Sequence, residues 1–154
     1  FPIWHKFCTT NISLHPFSPA VNILLRGFRM KDEKQTILIV DDEQVVLDIE
    51  ALMLEKMGFN TLKANSPEQA YQIYQVEKDN IDLVILDMIM PGDNGAEAYQ
   101  KLKKINSGIK VLVSSGFWKD INVKEILSDR QNRFIQKPFK FEELNEKVDS
   151  ILSE

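Results

Sequence analysis

Asp41-Asp42, Asp87, Ser115 and Lys137 are the residues of this 154-residue chain whose types and surroundings fit them for chemistry. Each ends a short apolar run: Ile37–Val40 leads into Asp41-Asp42, and Ile81–Leu86 into Asp87. Ser115 closes the run from Val111, and Lys137 follows Arg133–Gln136. Three carboxylates brought together with no resident counter-charge repel one another, and a hard cation such as Mg²⁺, which takes oxygen ligands, would relieve that repulsion. A hydroxyl and an ammonium suit the holding of phosphoryl oxygens. The chemistry these groups could share is attack of a carboxylate on phosphorus while a cation and a lysine balance the charge.

Each residue also has a plainer reading. Asp41 and Asp42 could cap a helix, where acids favour the positive end of the dipole. Asp87 before Pro91-Gly92 could belong to a turn, Ser115-Gly116 could be only a tight turn, and Lys137 a solvated strand end. Phe134 taken alone reads as core.

Composition narrows the alternatives. The chain is 44% hydrophobic and 27% charged, as in a globular domain rather than a disordered or fibrous one. His5, Cys8 and His15 account for every histidine and cysteine, so nothing after Met30 can run Ser-His-Asp or Cys-His catalysis, form a disulfide, or build a zinc site of the usual N/S type. Three of the 19 basic residues and none of the 23 acids fall in residues 1–30, so the formal charge of −4 conceals a more acidic body. That balance argues against a nucleic-acid footprint. Residues 1–35 read as a linker, leader or extension without regular structure. Their apolar stretch around Ala20–Leu25 is too short to span a bilayer, and no membrane contact is expected of the segment.

From Thr36 the pattern is regular. Strands are expected at 37–40, 59–64, 81–87, 111–114 and 133–136. Helices are expected at 43–57, from Pro67 to about Lys78, up to about Asn106, at 119–128 and at 141–152. The first helix carries Val46, Leu47, Ile49, Leu52, Met53 and Leu54 and stops at Gly58. The second opens with the capping box Ser66-Pro67-Glu68-Gln69. The last begins after Pro138-Phe139-Lys140 with no Ser, Thr, Asp or Asn to cap it, a local weakness. Strict alternation implies an α/β fold, a parallel sheet with helices on both faces. In such a sheet ligands bind beyond the carboxyl ends of the strands, where the five polar residues fall.

Asp41-Asp42, Asp87-Met-Ile-Met-Pro91-Gly, Ser115-Gly116 and Phe134-Ile-Gln-Lys137-Pro138 together resemble the receiver domain of two-component response regulators, over residues 36–154. The resemblance implies a doubly wound, flavodoxin-like sheet of five parallel strands in the order 2-1-3-4-5. It makes Asp87 the phosphoacceptor, taking its phosphoryl group from a histidine kinase or histidine phosphotransfer protein. Asp42 and Asp87 would bind Mg²⁺ directly, Asp41 through water, and the backbone carbonyl of Ile89 would complete the protein ligands. Lys137 would contact the phosphoryl group, with Lys137-Pro138 often a cis bond. Ser115 and Phe134 would move together and alter the surface of helix four, strand five and helix five, toward an unidentified downstream partner. Such a domain catalyses only its own phosphorylation and dephosphorylation.

Two departures bear on lifetime. The positions two beyond Asp87 and two beyond Ser115 often carry polar groups in this family, and here they are Ile89 and Phe117. Both should exclude water, which implies slow autodephosphorylation. The motif segments look like those of bacterial hybrid sensor histidine kinases, and a chain starting at Phe1 fits a piece of one. A free-standing receiver, for which Met30 would suit as a start, is the alternative. Either would work from the cytoplasm. A flavodoxin-like electron carrier shares the strand order, but Asp41-Asp42-Glu43 would repel the FMN phosphate. A haloacid-dehalogenase-type phosphatase expects an acid where Ile89 stands.

Overall fold

The computed structural model describes residues 34–91, 95–116 and 121–153. Phe117 and residues 1–33 lie outside them, so the expectations placed there stay with the sequence. Among the described residues five strands, β1 (Thr36–Val40), β2 (Asn60–Ala64), β3 (Ile81–Asp87), β4 (Val111–Ser115) and β5 (Arg133–Gln136), alternate with five helices. The helices are α1 (Gln44–Lys56), α2 (Pro67–Glu77), α3 (Gly95–Ile105), α4 (Ile121–Leu127) and α5 (Phe141–Leu152). The strands form one sheet in the order β2-β1-β3-β4-β5 with every pairing parallel, as expected of a doubly wound α/β domain.

Alternation along each strand divides the core in two. Ile37, Ile39, Leu83, Ile85, Leu112 and Ile135 face α1 and α5, where Leu47, Leu54, Leu144, Val148 and Ile151 meet them. Leu38, Val40, Val84, Leu86, Val111 and Val113 face the other way, against Tyr74, Tyr99, Leu102 and Ile126 of α2, α3 and α4. Burial on both faces explains why the inner strands read as unbroken apolar runs.

Local chemistry sets the helix ends. Gly58 holds φ at +96°, and its N–H donates to the Glu55 carbonyl at 3.0 Å, which stops α1. At α2 the Ser66 hydroxyl accepts from Gln69 N–H at 3.2 Å, while the Gln69 side chain accepts from Asn65 N–H at 2.7 Å. The expected weakness of α5 is made good from within the helix: the Glu143 carboxylate accepts from Lys140 N–H at 2.9 Å, one arm of a capping box whose other arm lysine cannot supply.

The apolar pattern of α1 is corrected by the structure. Leu47, Glu50, Ala51 and Leu54 form its buried face, whereas Ile49 and Leu52 are 49% and 56% exposed. Among the described residues, no helix is long and apolar enough to cross a membrane.

Candidate functional site

The carboxyl ends of β1, β3 and β5 bring four of the expected residues together. Asp41 is buried where β1 stops, Asp42 follows it at the surface, and oxygens of Asp41, Asp42 and Asp87 lie within 4.8 Å of one another. Lys137 Nζ forms ion pairs with Asp41 Oδ2 and with Asp87 Oδ2, the latter at 3.4 Å. The acids therefore do have a resident counter-charge, contrary to the expectation from sequence. Lys137 lies two residues beyond Ile135, on the strand face shared with α1 and α5, and its long stem carries the ammonium to the acids.

Each buried acid divides its two oxygens in the same way. Asp41 Oδ1 accepts from Glu43 N–H at 2.8 Å, and Asp87 Oδ1 accepts from Ile89 N–H at 3.2 Å. The remaining oxygen of each faces Lys137. This turn at Asp41, and no side-chain cap, leads into α1.

Burial pushes the Asp87 carboxyl above its ordinary range and Asp41 adds to the rise, while Lys137 and the Ile89 N–H oppose it. Lys137 is held above the ordinary lysine range: burial works against its charge, but the hydrogen bond to Asp41 and the charges of Asp87, Asp41 and Glu50 outweigh it. The result is a pocket with more negative charge than one ammonium balances. Hard oxygens from Asp41, Asp42 and Asp87 at this spacing are a donor set that fits Mg²⁺.

The other expected residues are placed less uniformly. Ser115 ends β4, 1% exposed, and its carbonyl accepts from Lys137 N–H at 3.0 Å. Lys137-Pro138 is a cis peptide bond. Phe134 is half-buried on the opposite sheet face, against the cluster of α2, α3 and α4. The Ile89 side chain is 59% exposed beside Asp87. Gly95, the first residue of α3, passes so near β3 that a Cβ there would stand 2.3 Å from the Asp87 carbonyl oxygen and 2.7 Å from Met88 Cα.

Two residues of this end of the sheet were missed in the sequence. Glu50 of α1 is 2% exposed, and burial raises its carboxyl to about 7, with Lys137 lowering it and Asp41 and Asp87 raising it further. Ser114, paired in register with Asp87, is buried as well. Among the described residues, Glu50 Oε1 and Ser114 Oγ have no hydrogen-bond partner.

A doubly wound sheet with an acid cluster and a lysine at its carboxyl edge defines a class, and the comparisons with known proteins agree with it. The response regulator receiver domain model matches residues 37–149, and the chain belongs to that family. It is 30% identical over 102 residues to the autoinducer 1 sensor kinase/phosphatase LuxN of Vibrio harveyi, covering 66% of this chain but 11% of that protein's length. The solved receiver domain of the hybrid histidine kinase CckA is 30% identical with a TM-score of 0.65, over 76% of this chain and 98% of that one. The response regulator TrrA of Thermotoga maritima, solved with Mg²⁺ and BeF, is 30% identical with a TM-score of 0.67, over 77% of this chain and 99% of that one. This is a receiver domain of two-component phosphorelay signalling.

Proposed function

We propose that residues 36–154 accept a phosphoryl group on Asp87 from a phosphohistidine of a histidine kinase or histidine phosphotransfer protein. The observation that carries this reading is the convergence of Asp41, Asp42, Asp87 and Lys137 on one point. An Asp87 carboxylate oxygen attacks phosphorus, the P–N bond to the donor imidazole breaks, and the imidazole leaves with the electron pair and takes a proton from solvent. Asp42 and Asp87 directly, Asp41 through water and the Ile89 carbonyl would hold Mg²⁺. The ion, when bound, supplies positive charge opposite the phosphoryl oxygens. Lys137 turns its ammonium to the same oxygens, and Ser115 and Phe134 carry the change to α4, β5 and α5, a two-state element biased by a local charge.

The likeness to the CckA receiver favours a parent of the hybrid sensor kinase kind. The likeness to TrrA, a response regulator, favours a free-standing cytoplasmic regulator as the second reading. The test is incubation with Mg²⁺ and acetyl phosphate, followed by intact mass. One phosphate adduct on the wild type and none on Asp87→Asn is expected; an adduct that survives in Asp87→Asn ends the reading. With Ile89 offering water no polar partner, the adduct should persist, and Ile89→Asn should shorten its half-life several-fold.

A further inference from the structure

Glu50 differs from the acids that carry the proposed transfer in lying on a helix, with its carboxyl turned to the sheet. It sits between Leu47 and Leu54 on the buried face of α1, a position that Leu or Met would fill at less expense. Its Oε1 is buried without a partner among the described residues, a condition that native proteins seldom leave unrelieved. The charges that reach it are those of Lys137, Asp41 and Asp87, which form the ion-paired centre. Glu50 and Lys137 also line one groove of about 400 Å³, whose remaining walls, Val46, Ile49, Met53, Pro138 and Phe139, are apolar. Lys137 has three N–H bonds to give, and its ion pairs are with Asp41 and Asp87.

We propose that Glu50 is a positioning residue for Lys137, an alternative acceptor that keeps the ammonium at the pocket when it leaves Asp41. The inference rests on the reading of Asp41, Asp42 and Asp87 as the centre that holds a cation and accepts phosphate. A cation drawn to these carboxylates, directly to Asp42 and Asp87 and through water to Asp41, would compete with Lys137 for the oxygens it holds in this structure. The ammonium must then give up Asp41, and losing an ion pair inside a buried site is unfavourable unless another acceptor stands near. Glu50 supplies that acceptor from the α1 side, and an arriving ammonium favours its carboxylate form. Lys137 stays within the groove, aimed at the place where phosphoryl oxygens arrive, instead of swinging to solvent.

The experiment uses the full chain carrying Glu50→Gln and Glu50→Met, each also combined with Lys137→Ala. Mg²⁺ affinity is measured by calorimetry with no phosphodonor, stability by thermal melting, and phosphate uptake from acetyl phosphate by intact mass. Glu50→Gln should weaken Mg²⁺ binding about 3- to 10-fold and slow uptake, while Glu50→Met melts higher than the wild type. In the Lys137→Ala background the Glu50 substitutions should change Mg²⁺ affinity less than about twofold, because the residue acts through the ammonium. An equal loss in both backgrounds, or Glu50 variants that melt lower and bind Mg²⁺ as the wild type does, overturns the proposal. A wild type that binds Mg²⁺ and takes phosphate beside Glu50 variants that behave identically defeats this inference alone. A wild type that takes no phosphate defeats the reading beneath it as well.

Discussion

Lys103 meets Asp129 at 2.7 Å beside Tyr99 and Asn132, and at the carboxyl edge of the sheet Lys137 meets Asp41 beside Asp87 and Glu50. In the first cluster the arms of the buried amide are all used. Asn132 is 3% exposed; its Oδ1 accepts from Val111 N–H at 3.0 Å, and its Nδ2 donates to the Tyr99 hydroxyl at 3.0 Å and the Ile126 carbonyl at 2.9 Å. Lys103 donates to the same hydroxyl at 3.0 Å. The hydrogen bond between them raises Lys103 and lowers Asp129, so both partners favour the charged pair. The second cluster is built against its own preferences: burial raises both Asp87 and Glu50, and two buried oxygens have no partner among the described residues. A satisfied network ties α3, α4 and β5 into one structure. An unsatisfied one stores the tension that a cation and a phosphoryl group would relieve.

If that contrast is right, substitutions should separate stability from phosphate acceptance. Asn132→Ala leaves the Val111 N–H unpaired and strips the Ile126 carbonyl and the Tyr99 hydroxyl of one donor each, and urea denaturation should show a loss of about 3 kcal/mol. Uptake from acetyl phosphate by the folded variant should be unchanged, and a matching fall in uptake would break the comparison. Glu50 comes next. Its carboxyl sits at about 7 when folded against an ordinary 4.5, so the folded state holds the proton through that window. The stability this confers is complete below the unfolded value and is lost as pH rises through the folded one, about 3 kcal/mol in all. Glu50→Gln should therefore gain on the wild type in denaturation series run from pH 5 to pH 8.

Asp87→Asn is expected to abolish the adduct yet raise stability at pH 7. The folded state disfavours the Asp87 anion, and a neutral isostere removes that opposition. Thermal melting of the two proteins side by side checks the sign. The smallest effect belongs to Lys103→Met. The lysine and Asp129 side chains are 35% and 22% exposed, so melting should report a loss of about 0.5 kcal/mol with phosphate uptake intact.

The alternation of apolar runs with amphipathic stretches made the sheet readable, because strands buried on both faces are mostly apolar until they end. For the same reason Asp41, Asp87 and Lys137 could be placed at one edge. Glu50 could not be found by counting apolar residues. The stripe that enters the core runs through Leu47, Glu50, Ala51 and Leu54, while Val45, Ile49 and Leu52 add apolar residues on the exposed side. A signal was present: an acid at the helical spacing between two leucines on the strip that Ala51 shares. Asn132 gave none, since a single Asn before a strand is ordinary turn chemistry until its partners on three elements are known. The pairing of Lys137 with the acids depends on the reach of a side chain across neighbouring strands, which one-dimensional spacing does not encode.

Gly95 gives the centre a dependence of a different kind. The α3 backbone can lie against β3 only because an atom is missing, and a methyl group there would meet the Asp87 carbonyl at 2.3 Å. The placement of the Asp87 carboxylate is thus set by an exclusion volume in a neighbouring element as well as by its own strand. Among natural or engineered variants of this chain, a side chain at position 95 would mark a protein whose acids are all present yet displaced. A census of charged residues would pass such a sequence as intact, and a measure of backbone clearance would not.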